Sequence, residues 1–255
     1  MNRNIKRLIY GTAYLAFFAV IIFGVYLLAL KPEPSCFDGK MNGLEEGIDC
    51  GGPCAPCAET SLSPLSASWE KYFTFGNATM AAVEIKNGNS GYGAEYFDYK
   101  ISLIDSQGNS ISSISGNSFI YAGEIKHIME TMPISIDSAG VFTVKTEFSN
   151  VKWKLKEEFP KPQVETRALV GKIREMPPAI EGIASNQSAF PVSKATIFAF
   201  VYDGNFGIGI GAASKTEVEN IPAFGEKPFK ISFPRDINLE SINPDNFKVF
   251  IEAKR

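Results

Sequence analysis

The sequence predicts an all-β protein of two tandem β-sandwiches, set behind a single transmembrane α-helix and a small disulfide-rich segment. Three observations carry this. An uncharged apolar run extends from Leu8 to Leu30, and all four cysteines follow between positions 36 and 57. Beyond about residue 66, short apolar–polar alternations recur, each bounded by Gly, Asn, Ser or Asp, the pattern of half-buried strands in a sandwich or barrel. The segments expected are a tail at 1–7, a membrane helix at 8–30, a cysteine-rich collar and linker at 31–66, and sandwiches at 67–158 and 163–255.

The apolar run is long enough as a helix to cross a hydrocarbon core of about 30 Å. Backbone groups in lipid must bond to one another, which makes the run helical. Arg3, Lys6 and Arg7 precede it with no acidic residue among them. Basic flanks stay on the cytoplasmic side, so the expected topology is a single pass through the plasma membrane, N-terminus inside and the later domains extracytoplasmic. A cleaved signal peptide is the rival reading. The run exceeds the ~7–15 residues of a signal h-region, and Tyr26-Leu27-Leu28-Ala29-Leu30 is a poor cleavage site. Membrane lipid around Leu8 to Leu30 is thus the first expected partner.

Cys36, Cys50, Cys54 and Cys57 lie in a segment almost without apolar residues for a core, so crosslinks must supply its order. In an exported chain they are expected to form two disulfides, with three connectivities open. A four-thiolate zinc site has compatible spacing but needs thiols that an oxidising compartment removes. Cys54-Ala55-Pro56-Cys57 has redox C-x-x-C spacing without the βαβ context such a motif requires. Asp38, Asn42, Glu45 and Asp49 place oxygen atoms at short intervals around glycine turns, which makes calcium the candidate cation, although the spacing is not that of an EF-hand.

The pattern C-x-D-G-x-x-N-G-x-E-x-G-x-D-C-G-G-x-C-x-x-C, read at Cys36, Asp38, Gly39, Asn42, Gly43, Glu45, Gly47, Asp49, Cys50, Gly51, Gly52, Cys54 and Cys57, resembles a cysteine-rich module of prokaryotic cell-surface and secreted proteins. The resemblance implies an extracytoplasmic surface protein and covers under a tenth of the chain.

Alternating runs at 82–86, 96–104, 118–121, 125–129, 141–148 and 151–155 make up the first module. Glu157-Glu158-Phe159-Pro160-Lys161-Pro162 then reads as a stiff connector. The punctuation restarts beyond it. Glu84 to Asn87 leads to Leu103-Ile104-Asp105, and Glu181 to Asn186 leads to Val201-Tyr202-Asp203. Each Asp opens a polar turn, and each module has a later Gly-Glu step, Gly123-Glu124 or Gly225-Glu226. This spacing predicts an internal duplication. The layout resembles the FxLYD-type and related immunoglobulin-like domains of bacterial and archaeal envelope proteins, best at Val201-Tyr202-Asp203. That resemblance implies binding or spacer modules.

No catalytic set is legible. His127, the single histidine, lies in an alternating run without a nucleophile in motif context, and is expected at an exposed or edge position. Gly204-Asn205-Phe206-Gly207-Ile208-Gly209-Ile210-Gly211 lacks the Lys-Ser/Thr of a phosphate loop and reads as a hairpin. Asn77-Ala78-Thr79 and Asn186-Gln187-Ser188 are glycosylation sequons expected from chance in an Asn- and Ser-rich chain. Tyr92, Tyr96, Phe97 and Tyr99 are expected to pack one face of a strand. A net charge of −3 without a basic cluster argues against nucleic acid. The expected role is structural, adhesive or binding, not enzymatic, toward an extracytoplasmic protein or glycan. The alternative is an accessory ectodomain subunit of a membrane complex.

Overall fold

The structure, a computed structural model, describes residues 3–26, 33–75, 78–134, 142–203, 209–235 and 242–254. It forms two compact units, Met1–Leu62 and Ser63–Arg255. In the first, helix α1 (Arg3–Val25) contains a stretch of 21 residues, Ile5–Val25, apolar and long enough to cross a membrane. The last residues of the run, 27–30, lie outside the described residues. No part of that stretch is buried by the rest of the protein. The Thr12 hydroxyl within it is satisfied locally, Oγ1 donating to the carbonyls of Leu8 and Ile9 at 3.0 Å each. The collar follows and closes in a single turn of helix, α2 (Cys57–Thr60).

The second unit is entirely β. Its strands are β1 (Ser66–Phe75), β2 (Ala78–Lys86), β3 (Tyr92–Ile104), β4 (Ser110–Ile120), β5 (Ile125–Met132), β6 (Thr143–Leu155), β7 (Val164–Lys172), β8 (Ala179–Asn186), β9 (Val192–Asp203), β10 (Ile210–Ile221), β11 (Glu226–Ser232) and β12 (Ile242–Lys254). They form four antiparallel three-stranded sheets, ordered β1-β2-β5, β4-β3-β6, β11-β8-β7 and β10-β9-β12. The order within β1 to β6 recurs, strand for strand, within β7 to β12.

Each pair of sheets encloses its own core. In the first sandwich, Ala81, Val83 and Ile85 of β2 meet Phe97, Ile101 and Leu103 of β3. In the second, Ile180 and Ala184 of β8 with Phe229 and Ile231 of β11 meet Ile197, Ala199 and Val201 of β9. The alternate residues of those same strands point the other way, and they too are covered. Phe73, Ala82 and Met129 of the sheet β1-β2-β5 pack against Phe198, Phe200 and Ala213 of the sheet β10-β9-β12. The two sandwiches are therefore joined face to face, and the two middle sheets are buried on both sides.

A buried asparagine closes the end of each sandwich. Asn87, one residue past β2, donates from Nδ2 to the carbonyls of Tyr92 and Tyr121, at 2.7 and 2.9 Å. Asn186, at the end of β8, donates to Phe190 and Pro222 at 2.9 Å each. Both side chains also accept from the backbone two residues on, from Asn89 and Ser188. With its amide spent internally and the residue 1% exposed, Asn186 is not an available sequon. Asn77 lies outside the described residues.

Several expectations are revised. β1, which the named alternating runs do not include although it falls within the expected first sandwich, is a full strand. The runs at 141–148 and 151–155 are one strand, β6, bent where Asn150 adopts φ 50°; Val141 itself lies outside the described residues. β4 reaches back to Ser110, through a serine-rich stretch with little hydrophobic signal. The turn at Asp105 forms as read. Its carboxylate accepts from the backbone of Gln107 and Asn109, at 2.9 and 2.8 Å, and Gly108 sits at φ 85°. At its counterpart, Asp203 ends β9, and Gly204-Asn205 lie outside the described residues, as does most of the glycine-rich hairpin beyond them. The proline connector is docked on the first sandwich, with Phe159 stacked on Tyr121 at 4.5 Å between ring centroids.

Phe97 is fully buried and meets Phe148 edge-on at 5.8 Å. Phe97→Ala is expected to destabilise the β unit by about 3–5 kcal/mol, read from the urea midpoint of the purified chain. A loss below about 1 kcal/mol would show that this face is not packed as described.

Candidate functional site

The four cysteines pair as Cys36–Cys54 and Cys50–Cys57, closing sequence separations of 18 and 7 residues. Cys50 is buried, while the large apolar side chains of the same segment, Phe37, Met41, Leu44 and Ile48, all stand exposed. The crosslinks and a polar lattice occupy the interior in their place. Asp49 lies at its centre: Oδ1 accepts from the backbone N–H of Asp38 and Gly39, and Oδ2 from Gly39, all at 3.0–3.1 Å. Asp38 accepts in turn from Asn42 Nδ2 at 2.8 Å and from the Lys40 backbone at 2.9 Å. The Asn42 amide is the main influence holding the Asp38 carboxyl below its ordinary range. Glu45 Oε2 accepts from the Asn42 backbone at 3.1 Å.

The candidate calcium residues Asp38, Asn42, Glu45 and Asp49 are thus brought into one small segment, where the three carboxylates accept from the collar's own backbone and Asn42 Oδ1 is buried without a hydrogen-bond partner. Cys36, Glu45 and Cys54 also place ligand-type atoms within 4.8 Å of one another. Both sulfurs there belong to a disulfide and lack the thiolate charge that a metal ion requires. The spacing of glycines among these residues has a steric cause at two positions. Gly51 at φ 79° and Gly52 at φ 60° turn so tightly that a Cβ would strike Glu46 and the Leu44 carbonyl.

A second constellation, invisible as a motif, lies where the sandwiches meet. Glu252 of β12 enters the face of the first sandwich and is 7% exposed. Its Oε2 accepts from Lys126 Nζ at 2.8 Å, and its Oε1 from the backbone N–H of His127 at 2.6 Å. The His127 ring sits between two carboxylates, Nδ1 at 3.3 Å from Glu252 and Nε2 at 3.4 Å from Glu84 of β2. Aromatic rings enclose it: Phe250 at 4.4 Å, Phe200 at 5.1 Å, Phe198 at 5.9 Å and Trp69 at 6.1 Å between centroids. Lys126 Nζ also lies 3.9 Å over the Phe119 ring.

Burial pushes the Glu252 carboxyl up, but Lys126 and the hydrogen bonds from His127 and Lys126 outweigh it, and the group is held below its ordinary value of 4.5. Further bonds cross the junction. Tyr121 Oη donates to the Ala253 carbonyl at 3.1 Å, Lys215 to Met129, and Lys71 to Ile210.

His127 therefore lies at a sheet edge, as its alternation suggests, but is buried there, 3% exposed. β5 is an edge strand within its sheet, but the second sandwich covers it. A cleft of about 570 Å³ opens beside the cluster, lined among others by Phe119, Lys126, Glu130, Lys194, Lys215 and Glu217. Its charged groups have hydrogen-bond partners within the protein: Lys194 pairs with Glu217 at 2.7 Å, Glu130 accepts from Tyr99 Oη at 2.8 Å, and Lys215 donates to the Met129 carbonyl. Burial chiefly, and then Glu130, push the Tyr99 phenol well above its usual range. The arrangement works as a latch between two faces.

No family profile matches the chain, and no curated protein matches it. Among solved structures, it is similar to the crystal structure of red sea bream transglutaminase, at 12% identity and a TM-score of 0.22, over 77% of this chain and 30% of that one. The chain thus spans under a third of that protein's length, and a likeness so slight supports no inference.

Non-reducing peptide mapping is expected to recover the 36–54 and 50–57 pairs; either of the other two connectivities would refute the collar geometry. At the junction, Glu252→Ala leaves Lys126 buried without its partner and should destabilise the chain by about 3–5 kcal/mol. Because the Glu252 pKa is depressed on folding, its contribution is present above pH 4.5 and is lost as pH falls through the lower folded value. Acid titration of stability should accordingly be shallower in Glu252→Gln than in wild type, and identical profiles would refute the coupling.

Proposed function

We propose that the chain is a single-pass, membrane-anchored extracytoplasmic protein, N-terminus inside, whose β unit serves a structural, adhesive or binding role. The observation that carries this reading is the succession of α1 and the collar. An unburied apolar helix long enough to span a bilayer is followed, within a dozen residues, by a segment whose order rests on two disulfides. Disulfides of this kind belong to an oxidising compartment. The basic residues Arg3, Lys6 and Arg7 belong on the other side.

The β unit fits the same reading as a pair of duplicated, immunoglobulin-like modules. Identical strand order in both halves supports this, as do the matching buried asparagines Asn87 and Asn186. The resemblance to envelope modules with the FxLYD signature is part of the proposal. The junction supports presentation of the two sandwiches as a single rigid surface. Fold alone names no ligand, and the polar lining of the cleft favours a protein or glycan surface as partner over a small apolar molecule.

Topology tests the reading. In a prokaryotic host, the full chain should remain in the membrane pellet after carbonate extraction. Protease added to intact spheroplasts should degrade everything beyond the collar. Protection until lysis would invert the orientation, and release by carbonate would remove the anchor.

A further inference from the structure

Sheet edges expose unpaired backbone N–H and C=O groups, and proteins protect them with charged side chains, proline or bulges. Eight strands form the edges of the four sheets here: β1, β4, β5, β6, β7, β10, β11 and β12. Seven carry charge within the strand. Examples are Glu70 and Lys71 on β1, Glu165 and Arg167 on β7, and Lys215, Glu217 and Glu219 on β10, while β11 and β12 add Pro228 and Pro244. β4 is the exception. From Ser106 to Gly123 there is no charged residue, no histidine and no proline. β4 is 11 residues long and pairs with β3 on one side only, and among the described residues no bridge meets its other edge. Its counterpart by strand order in the second sandwich, β10, has Glu217 tied to Lys194.

The sequence of this bare edge, Ser110-Ile111-Ser112-Ser113-Ile114-Ser115-Gly116-Asn117-Ser118, is also self-complementary. In an antiparallel pairing, residues directly opposite share a face of the sheet. A two-fold axis between identical strands must therefore pass through a residue, since a pairing centred between residues would set one face against the other. Centring on Ile114 uses the whole stretch. Ser113 then faces Ser115 of the second copy, Ser112 faces Gly116, Ile111 faces Asn117 and Ser110 faces Ser118. Ile111, Ser113, Ser115 and Asn117 are exposed, whereas Ser112, Ile114, Gly116 and Ser118 are half-buried, so the three pairs next to the axis match in exposure and only the outermost, exposed Ser110 on half-buried Ser118, does not. No pair sets like charges together or crowds two bulky side chains apart from Ile114 itself, which sits against its own copy over the core that it already joins.

We propose that β4 is a homodimerisation edge, pairing antiparallel with β4 of a second copy about Ile114 to join two β4-β3-β6 sheets into one of six strands. The pairing rests on this edge alone and does not require the membrane topology argued above, which the spheroplast assay tests separately.

Register-specific charge changes test it in the full chain in detergent, with protein mass read by sedimentation velocity or light scattering. Wild type is expected at twice the monomer mass. Ser113→Glu with Ser115→Glu places like charges opposite each other across the axis and should halve the mass. Ser113→Lys with Ser115→Glu places opposite charges there and should restore the dimer. Both positions point outward, and Ser115 faces the exposed Lys100 on β3 within its own chain, so glutamate is tolerated there. Matching thermal melts verify that the variants fold. A monomeric wild type, a dimer that survives the double glutamate change, or a folded Lys/Glu variant that stays monomeric each overturns the proposal.

Discussion

The β unit is organised around one carboxylate. Glu252 comes from the last strand of the second sandwich and meets its partners, Lys126 Nζ and both the backbone and ring nitrogens of His127, on the first. Glu252 is 7% exposed, and aromatic rings enclose its His127 partner. An ion pair in such surroundings owes much of its Coulomb gain to offsetting desolvation, so it adds little net stability compared with a well-packed apolar contact. Its effect is directional. Apolar faces tolerate sliding, but Lys126, His127 and Glu84 accept one placement of Glu252. The hydrophobic contact of Phe73, Ala82 and Met129 with Phe198, Phe200 and Ala213 supplies the adhesion, and the carboxylate fixes its register.

This explains features of the middle sheets that would be faults in isolated sandwiches. β2 and β9 are buried along most of their length. The outward set of residues that usually meets water is apolar in β9, where Phe198 and Phe200 are 4% and 1% exposed. The outer sheets keep ordinary alternation, as β6 shows with Lys145 and Glu147 on its open face. Four layers with two doubly covered sheets give the second unit a continuous interior although each half encloses its own core.

The sequence made much of this legible. The membrane-length run, the pairing of all four cysteines and the β character of the remainder are legible from the absence of charge, the clustering of cysteines in a segment without a core, and period-two alternation. The recurring punctuation at Asn87 and Asn186 marks residues whose amides do the same work in both halves. What escaped has physical reasons. β4 is written in serine, which satisfies strand geometry without a hydrophobic signal. His127 reads as exposed because alternation assigns a face to a side chain but cannot report that a distant strand will cover that face. The uninterrupted Ile197-Phe198-Ala199-Phe200-Val201-Tyr202 run is the one local sign of burial on both sides. Nothing local ties Glu252 to Lys126, since they are separated by 126 positions.

That separation bears on how the chain is made. Synthesis proceeds from the N-terminus, and domains emerge and fold in that order. The first sandwich is complete by β6, yet it then displays Phe73, Ala82 and Met129 to solvent, with Lys126 awaiting the carboxylate of Glu252. The wait ends only when β12 arrives. A chain stalled or clipped before that strand keeps a greasy, cationic face open, the type of surface that chaperones and proteases seize.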